Sequence, residues 1–314
     1  MSALMTPEPS TLSQEPALLA IRDPGARPHP SADWRERLEL LRAELRRLEQ
    51  VVVAYSGGVD SSVLLAVAHE QLGTRALGVI GVSDSYASRE LTLALEQAAR
   101  IGARVETVTT GELANPLFAS NPEDRCYHCK TELFTQLARI AAREHTAAVL
   151  DGTIADDLAD WRPGRRAAAE GAIRSPLAEL GFRKGDVRAV AEALGLASAG
   201  KPASPCLASR IPYGILITRE NLSQVERGEA LLRELGFAEL RVRHHGETAR
   251  IEVSLDELPR LVAPGVREKV VAGLKELGFR WIALDLEGLR SGNLNPGQHH
   301  WLGDITHNSG TTAS

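Results

Sequence analysis

The sequence predicts an α/β protein, a doubly wound parallel sheet followed by a smaller C-terminal α+β domain. Two observations carry this expectation. Up to residue 153, short β-rich apolar runs alternate with stretches whose apolar residues recur at helical spacing, the rhythm of a parallel sheet covered by helices on both faces. After a loop rich in glycine and proline at 200–214, the order changes to helix, two strands, helix and strand.

The elements follow in order. Residues 1–33, with repeated proline and no basic segment before an apolar run, are expected to be a disordered lead and not a signal peptide. WRERLELLRAELRRLEQ (34–50) has helical spacing and enters the strand VVVAY (51–55). DSSVLLAVAHEQLG (60–73) is a helix stopped by Gly73, and ALGVIGVSD (76–84) is a strand. A helix at 87–101, a strand at 104–110, a helix at 130–145 and a buried strand at 147–153 continue the alternation. Ligands are expected at the carboxyl ends of such strands. Beyond the loop come a helix at 220–237, two strands around a turn at 239–254, a helix at 266–279 and a strand at 281–289. The expected domains are therefore 34–203 and 204–294, with a loose polar tail over 295–314.

Composition narrows the function classes. A chain of 314 residues with 43% hydrophobic content can bury two ordinary cores, and no apolar run approaches membrane-spanning length. The formal net charge of −5 and the 4% aromatic content argue against a stable nucleic-acid partner, which would need phosphate tracking and base stacking. Three cysteines cannot complete a disulfide framework, so a reducing compartment, the cytoplasm, is expected.

The strongest chemical signal is VVVAYSGGVDSSVLL (51–65), an apolar strand, a glycine turn and a helix. Adjacent glycines let the backbone turn its N–H groups outward, and the helix start adds unpaired N–H groups and a positive dipole end. Such a nest binds an anion, and a positive φ is expected at Gly58. No Walker A or GxGxxG pattern follows the strand. The stretch resembles the SGGxDS loop of PP-loop ATP pyrophosphatases, the adenine nucleotide α-hydrolase-like fold. That resemblance implies that Ser56, Gly57, Gly58, Ser61 and Ser62 hold the pyrophosphate of ATP and that Asp60 helps to place Mg²⁺.

Four further stretches narrow the family: DGTIADDLADWRPGRRAA (151–168), SPCLASRIPYG (204–214), LRVRHHGETARIEV (240–253) and LDLEGLRSGNLN (284–295). Together they resemble the LarE family of ATP-dependent sulfur transferases in nickel-pincer cofactor biosynthesis. The resemblance covers about 35–295 and implies a pyridinium dicarboxylate mononucleotide as substrate. ATP adenylates a carboxylate, and sulfur then replaces AMP to give a thiocarboxylate. It also implies a homo-oligomer and hand-over of product to the nickel-inserting enzyme of the pathway.

The stretch EDRCYHCKTEL (123–133) holds two of the three cysteines. In one branch of the family the cysteine at the place of Cys206 is the sulfur donor and becomes dehydroalanine. In the other a CxxC is added, and three cysteines hold a 4Fe-4S cluster; here these are Cys126, Cys129 and Cys206. Thiolates favour Fe–S clusters or zinc, and three protein ligands leave one coordination position for a free sulfide. A zinc site completed by His128 and a sacrificial Cys206 with Cys126 and Cys129 merely buried remain alternatives.

Arg241 and Arg243 leave one face of a strand and can fork a phosphate, which the resemblance identifies with the substrate's phosphate. The alternative is an exposed basic strand face. Glu229, Glu252, Asp285 and Arg290 are candidates for positioning the substrate or these arginines, or are surface ion pairs. Asp157, Asp160 and Arg162 are candidates for orienting the adenylated carboxylate or Mg²⁺, or belong to a turn ended by Pro163-Gly164. Ser209 and Arg210, close to Cys206, are expected to grip the acyl-adenylate. Competing functions are a PP-loop tRNA thiolation enzyme, an ammonia-dependent amide ligase, and a regulatory ATP-binding module.

Overall fold

The computed structural model describes residues 29–290 apart from 147 and 159–162. Helix α1 (Trp34–Leu48) leads into β1 (Val51–Ala54), α2 (Val59–Leu72), β2 (Ala76–Val82), α3 (Ser88–Ile101) and β3 (Arg104–Thr109). The short α4 (Pro116–Ala119) precedes the long α5 (Arg125–Arg143) and β4 (Val149–Leu150). Then come α6 (Ala155–Leu158), α7 (Gly164–Glu170), α8 (Pro176–Glu179) and α9 (Lys184–Ala193). The C-terminal part comprises α10 (Arg219–Glu234), β5 (Leu240–His245), β6 (Thr248–Val253), α11 (Leu258–Val262), α12 (Val266–Glu276) and β7 (Trp281–Leu284).

Strands β1 to β4 form a parallel sheet in the order β3-β2-β1-β4. All four residues of β1 are buried, which is why it reads as a continuous apolar run. Its side chains alternate between two cores. Val51 and Val53 join leucines of α1 and α2 and valines of α9 on one face. Val52 and Ala54 meet Phe134, Leu137 and Ile140 of α5 and the α7 alanines on the other. The chain runs outward from β1 through β2 to β3, then crosses back to β4 on the opposite side of β1. The carboxyl end of β1 therefore lies at the point where strand order reverses, the place where open α/β sheets bind ligands.

A second sheet, ordered β5-β6-β7, has an antiparallel hairpin and a parallel third strand. Its core joins Leu232 of α10 and Val270 and Leu274 of α12 to Val242 and Ile251. A smaller cluster of Phe118, Leu207, Ala208, Ile211, Ile217, Leu222 and Val225 packs the 207–217 segment between α4 and α10.

Several boundaries depart from expectation for identifiable reasons. The helices expected to reach 237 and 279 end at Glu234 and Glu276, because Gly236 and Gly278 take left-handed φ of 90° and 100°. The strand expected over 281–289 ends at Leu284, where Asp285–Gly288 turns with Gly288 at φ 71°. Helix α5 begins at Arg125 and not at 130, so both of its cysteines lie at its start. The expected strand 147–153 is reduced to Val149–Leu150, and the helices between 155 and 193 carried no expectation. Of the expected disordered lead, only 29–33 is described, and Ser31 there donates to Asp186 from its amide and its hydroxyl. The tail over 295–314 lies outside the described residues. No described helix is long and apolar enough to cross a membrane.

Candidate functional site

At the end of β1 the buried Tyr55 continues the ladder to Val79, and its hydroxyl donates to the Ala94 carbonyl. The glycine turn follows. Gly57 has φ 67°, and a Cβ there would stand 2.6 Å from that of Ala94, so α3 presses directly on the backbone. Gly58 has φ −73° and ψ 160° and is the residue before α2, with ample room for a Cβ. The positive φ expected at Gly58 thus belongs to Gly57, because the turn is made before the helix cap. The Ser62 amide closes the first turn on the Gly58 carbonyl, leaving the earlier amides of α2 without helical acceptors.

The loop is braced from several sides. Ser61 Oγ stands 3.2 Å from both the amide and the hydroxyl of Ser56. Tyr86 donates to the Ser56 carbonyl at 3.0 Å, and Lys201 to that of Gly57 at 3.3 Å while pairing with Glu90 at 2.6 Å. Ser61 is buried and Ser62 fully so, whereas Ser56 is exposed. Asp60 carries both carboxylate oxygens on the Lys184 ammonium, at 2.9 and 2.7 Å. Burial raises the pKa of this carboxyl, with Lys184 opposing and the neighbouring Asp157 adding to the rise. Lys184 escaped the sequence reading because it lies 124 positions from Asp60, and its stretch carries no recognisable spacing. Asp157 accepts from the Ile154 amide and Asp156 from the Lys184 amide, so the acidic turn supports the lysine. Asp160 and Arg162 lie outside the described residues.

The three cysteines come from two elements. Cys126 and Cys129 lie in the first turns of α5, and Cys206 immediately precedes a 3-10 turn, Leu207–Arg210. Cys126 and Cys206 are exposed, while Cys129 packs against the Leu207–Ala208 cluster. Burial pushes the Cys129 thiol up, reinforced by Glu112, Cys206 and Cys126, so Cys129 lies within electrostatic reach of both other thiols. Glu112 is itself buried and accepts from the Ser83 and Ser85 hydroxyls, and the Ser85 carbonyl accepts from the Leu207 amide. Among the described residues no group of three or more His, Cys, Asp or Glu side chains is arranged to hold a metal ion. His128 faces Asp124 at 3.8 Å.

Arg210 is 2% exposed, and its guanidinium points inward. It donates to the carbonyls of Pro205 and Cys206, to Ser209 Oγ and, from Nε at 2.9 Å, to Glu229. Ser209 Oγ in turn donates to the Cys206 carbonyl at 2.7 Å. Burial pushes the Glu229 carboxyl up, but the guanidiniums of Arg210 and Arg233 outweigh it and hold the group below its ordinary value. These residues shape the cysteine-bearing turn from within.

Arg241 and Arg243 differ despite their shared strand. Arg243 is buried, binds Glu252 in a two-bond fork at 3.0 and 2.7 Å and donates to the Ser209 carbonyl at 3.0 Å. Glu252 also accepts from Arg250, and Asp285 stands 3.7 Å from Arg250 and 3.8 Å from Arg290. Arg241 donates only to carbonyls, of Leu240 and Ala203, in the bonds described for it. Burial, with Arg210 nearby, lowers its pKa to about 10. It lines a cavity of about 490 Å³ whose walls include Gly57, Arg89, Lys201, Ser204 and Arg233.

Comparison with known proteins gives three relatives and one family. The asparagine synthase family model matches residues 36–236. The pyridinium-3,5-bisthiocarboxylic acid mononucleotide synthase of Lactiplantibacillus plantarum is 40% identical over 254 residues, 81% of this chain and 91% of that protein. An uncharacterized protein of Synechocystis is 44% identical over 259 residues, 82% of this chain and 97% of its own length. Another from Methanocaldococcus jannaschii is 30% identical over 247 residues, 77% and 92% of the two chains.

Proposed function

The chain belongs to the LarE family of PP-loop, ATP-dependent sulfur transferases, and from that membership we propose that it converts a carboxylate of a pyridinium dicarboxylate mononucleotide into a thiocarboxylate. The carboxylate oxygen attacks the α-phosphorus of ATP and pyrophosphate leaves; sulfide then attacks the acyl carbon and AMP leaves. One observation carries this reading: Gly57 of the phosphate loop and Arg241 line the same cavity, so an anionic nucleotide held at Arg241 lies beside the ATP grip.

The chain's own groups divide the work. The open amides at the start of α2 and the Ser56 hydroxyl hold the pyrophosphate, and Lys184 supplies a positive charge beside it. Mg²⁺ would be held by Asp60, sharing that carboxylate with Lys184, and would neutralise charge on the triphosphate. Arg241 receives the substrate phosphate; Arg243, through Glu252 and the Ser209 carbonyl, positions the cysteine-bearing turn. Arg210 and Glu229 do the same from beneath, and Asp285 and Arg290 extend the charge ladder that steadies Glu252.

For sulfur delivery, the donor set supports a 4Fe-4S cluster better than zinc. Cys126 and Cys129 open α5, Cys206 lies within electrostatic reach of Cys129, and three soft thiolates leave one ligand position open, whereas a closed zinc site would need a fourth protein ligand. Cys126, Cys129 and Cys206 would hold it, and when bound it supplies an iron with a position open to sulfide. A reducing cytoplasm suits such thiols. A homo-oligomer that hands its product to the nickel-inserting enzyme completes the proposal.

The test is a reaction of anaerobically purified, iron-replete protein with ATP, Mg²⁺, sulfide and the mononucleotide. AMP, pyrophosphate and thiocarboxylate should form in step and exceed the enzyme, with the protein mass unchanged. In Cys126→Ala, repeated turnover should be lost while adenylation survives. A dehydroalanine at residue 206 would overturn the cluster, and no pyrophosphate with this substrate would overturn the reaction.

A further inference from the structure

Three buried arginines surround the cysteine-bearing segment, and one lacks what the other two have. Arg210 is matched by Glu229 and Arg243 by Glu252. Arg125, 5% exposed, donates from Nη1 to the neutral Asn121 Oδ1 at 2.6 Å and lies 4.5 Å from the Tyr213 ring centroid. Its Nε has no hydrogen-bond partner, and no carboxylate among the described residues lies within ion-pair distance. A buried guanidinium satisfied only by an amide oxygen and a ring face is costly unless negative charge arrives nearby.

The surroundings indicate where that charge belongs. Arg125 opens α5 and directly precedes Cys126. Its partner Asn121, fully buried, donates to the carbonyls of Ile211, Pro212 and Ile215, fastening the segment that follows the Cys206 turn. Burial raises the pKa of Tyr213, in that segment, Arg125 opposes the rise, and Cys126, Glu123 and Cys206 add to it; among the described residues Glu123 forms no ion pair with Arg125. The cation therefore stands where the two cysteine-bearing segments are tied. A cluster bound by three thiolates is a net anion, and sulfide adds to its charge.

We propose that Arg125 is the counter-cation of the anionic group held by Cys126, Cys129 and Cys206, and that it sets the affinity and reduction potential of that group. The inference rests on the cluster reading above. It implies a change of sign: without the cluster the guanidinium is an uncompensated buried charge, and with it the charge is matched.

Arg125→Gln removes the charge and keeps a donor toward Asn121; Arg125→Lys keeps the charge; Asn121→Ala cuts the tether with the charge in place. Melting temperature is measured in the cluster-free and reconstituted proteins, with iron content, the rate of iron removal by a chelator and the midpoint potential of the loaded forms. Cluster-free R125Q should melt at or above the wild type, and loaded R125Q below it. Loaded R125Q should release iron about tenfold faster and titrate at a more negative potential, with R125K returning most of that shift. N121A should lower melting in both forms and leave the potential alone. If R125Q lowers melting equally in both forms and the potential is unmoved, Arg125 is structural and the inference fails while the cluster stands. A wild type that takes up no iron on reconstitution overturns both.

Discussion

Gly57 and Gly58 stand side by side with different requirements. Gly57 takes φ 67° and meets Ala94 at 2.6 Å from a hypothetical Cβ, whereas at Gly58 the nearest atom, Ser56 Oγ, is 3.5 Å away. Gly57→Ala should therefore cost about 1–3 kcal/mol and raise the KM for ATP, while Gly58→Ala should leave folding nearly unchanged. Urea unfolding of both variants with an ATP titration checks this, and a larger stability loss in Gly58→Ala would sink it. The glycine pair is legible in the sequence because its composition is local. Which glycine bears the strain is not, since Ala94 arrives from a separate helix. Lys184 at Asp60 is hidden for the same reason.

At the level of elements, the turn carrying Cys206 is held to α10 by one buried ion cluster. Glu229 accepts from Arg210 at 2.9 Å and from Arg233 at 2.7 Å. Glu229→Gln leaves Arg210 buried without its charge partner and should cost about 3–5 kcal/mol. A pH dependence follows. Because the folded carboxyl lies below its ordinary value of 4.5, its contribution is complete above that value and is lost as the pH falls through the lower folded one. Stability curves of the wild type and E229Q should converge on acidification; parallel curves across that range would show that the pair does not carry the linkage. The helix and turn around this cluster follow from apolar spacing and loop residues. That Arg210 faces inward does not, because a polar residue near a cysteine reads equally well as a substrate contact.

Across the whole molecule, the phosphate loop and Arg241 belong to different sheets and meet at one cavity. Arg241→Ala should weaken the mononucleotide about ten- to a hundredfold, the worth of one charge-assisted contact, and spare ATP. Calorimetric titration of each ligand checks this, and an equal loss of ATP affinity would reject the division of labour. Arg243→Ala is a poorer probe, since it takes two hydrogen bonds from the fully buried Glu252, leaving Arg250 on it, and releases the Ser209 carbonyl. The sequence by itself determined the alternating α/β architecture, the phosphate loop and the family, because each is written in local periodicity, turn residues and contiguous motifs. Only the tertiary structure decided that Arg241 lines the cavity while Arg243 is neutralised, that Lys184 reaches Asp60, and that Arg125 is buried with no carboxylate at ion-pair distance among the described residues. The physical reason is that a charge's role depends on which distant side chains share its low-dielectric surroundings, and that company is chosen only when the chain has packed.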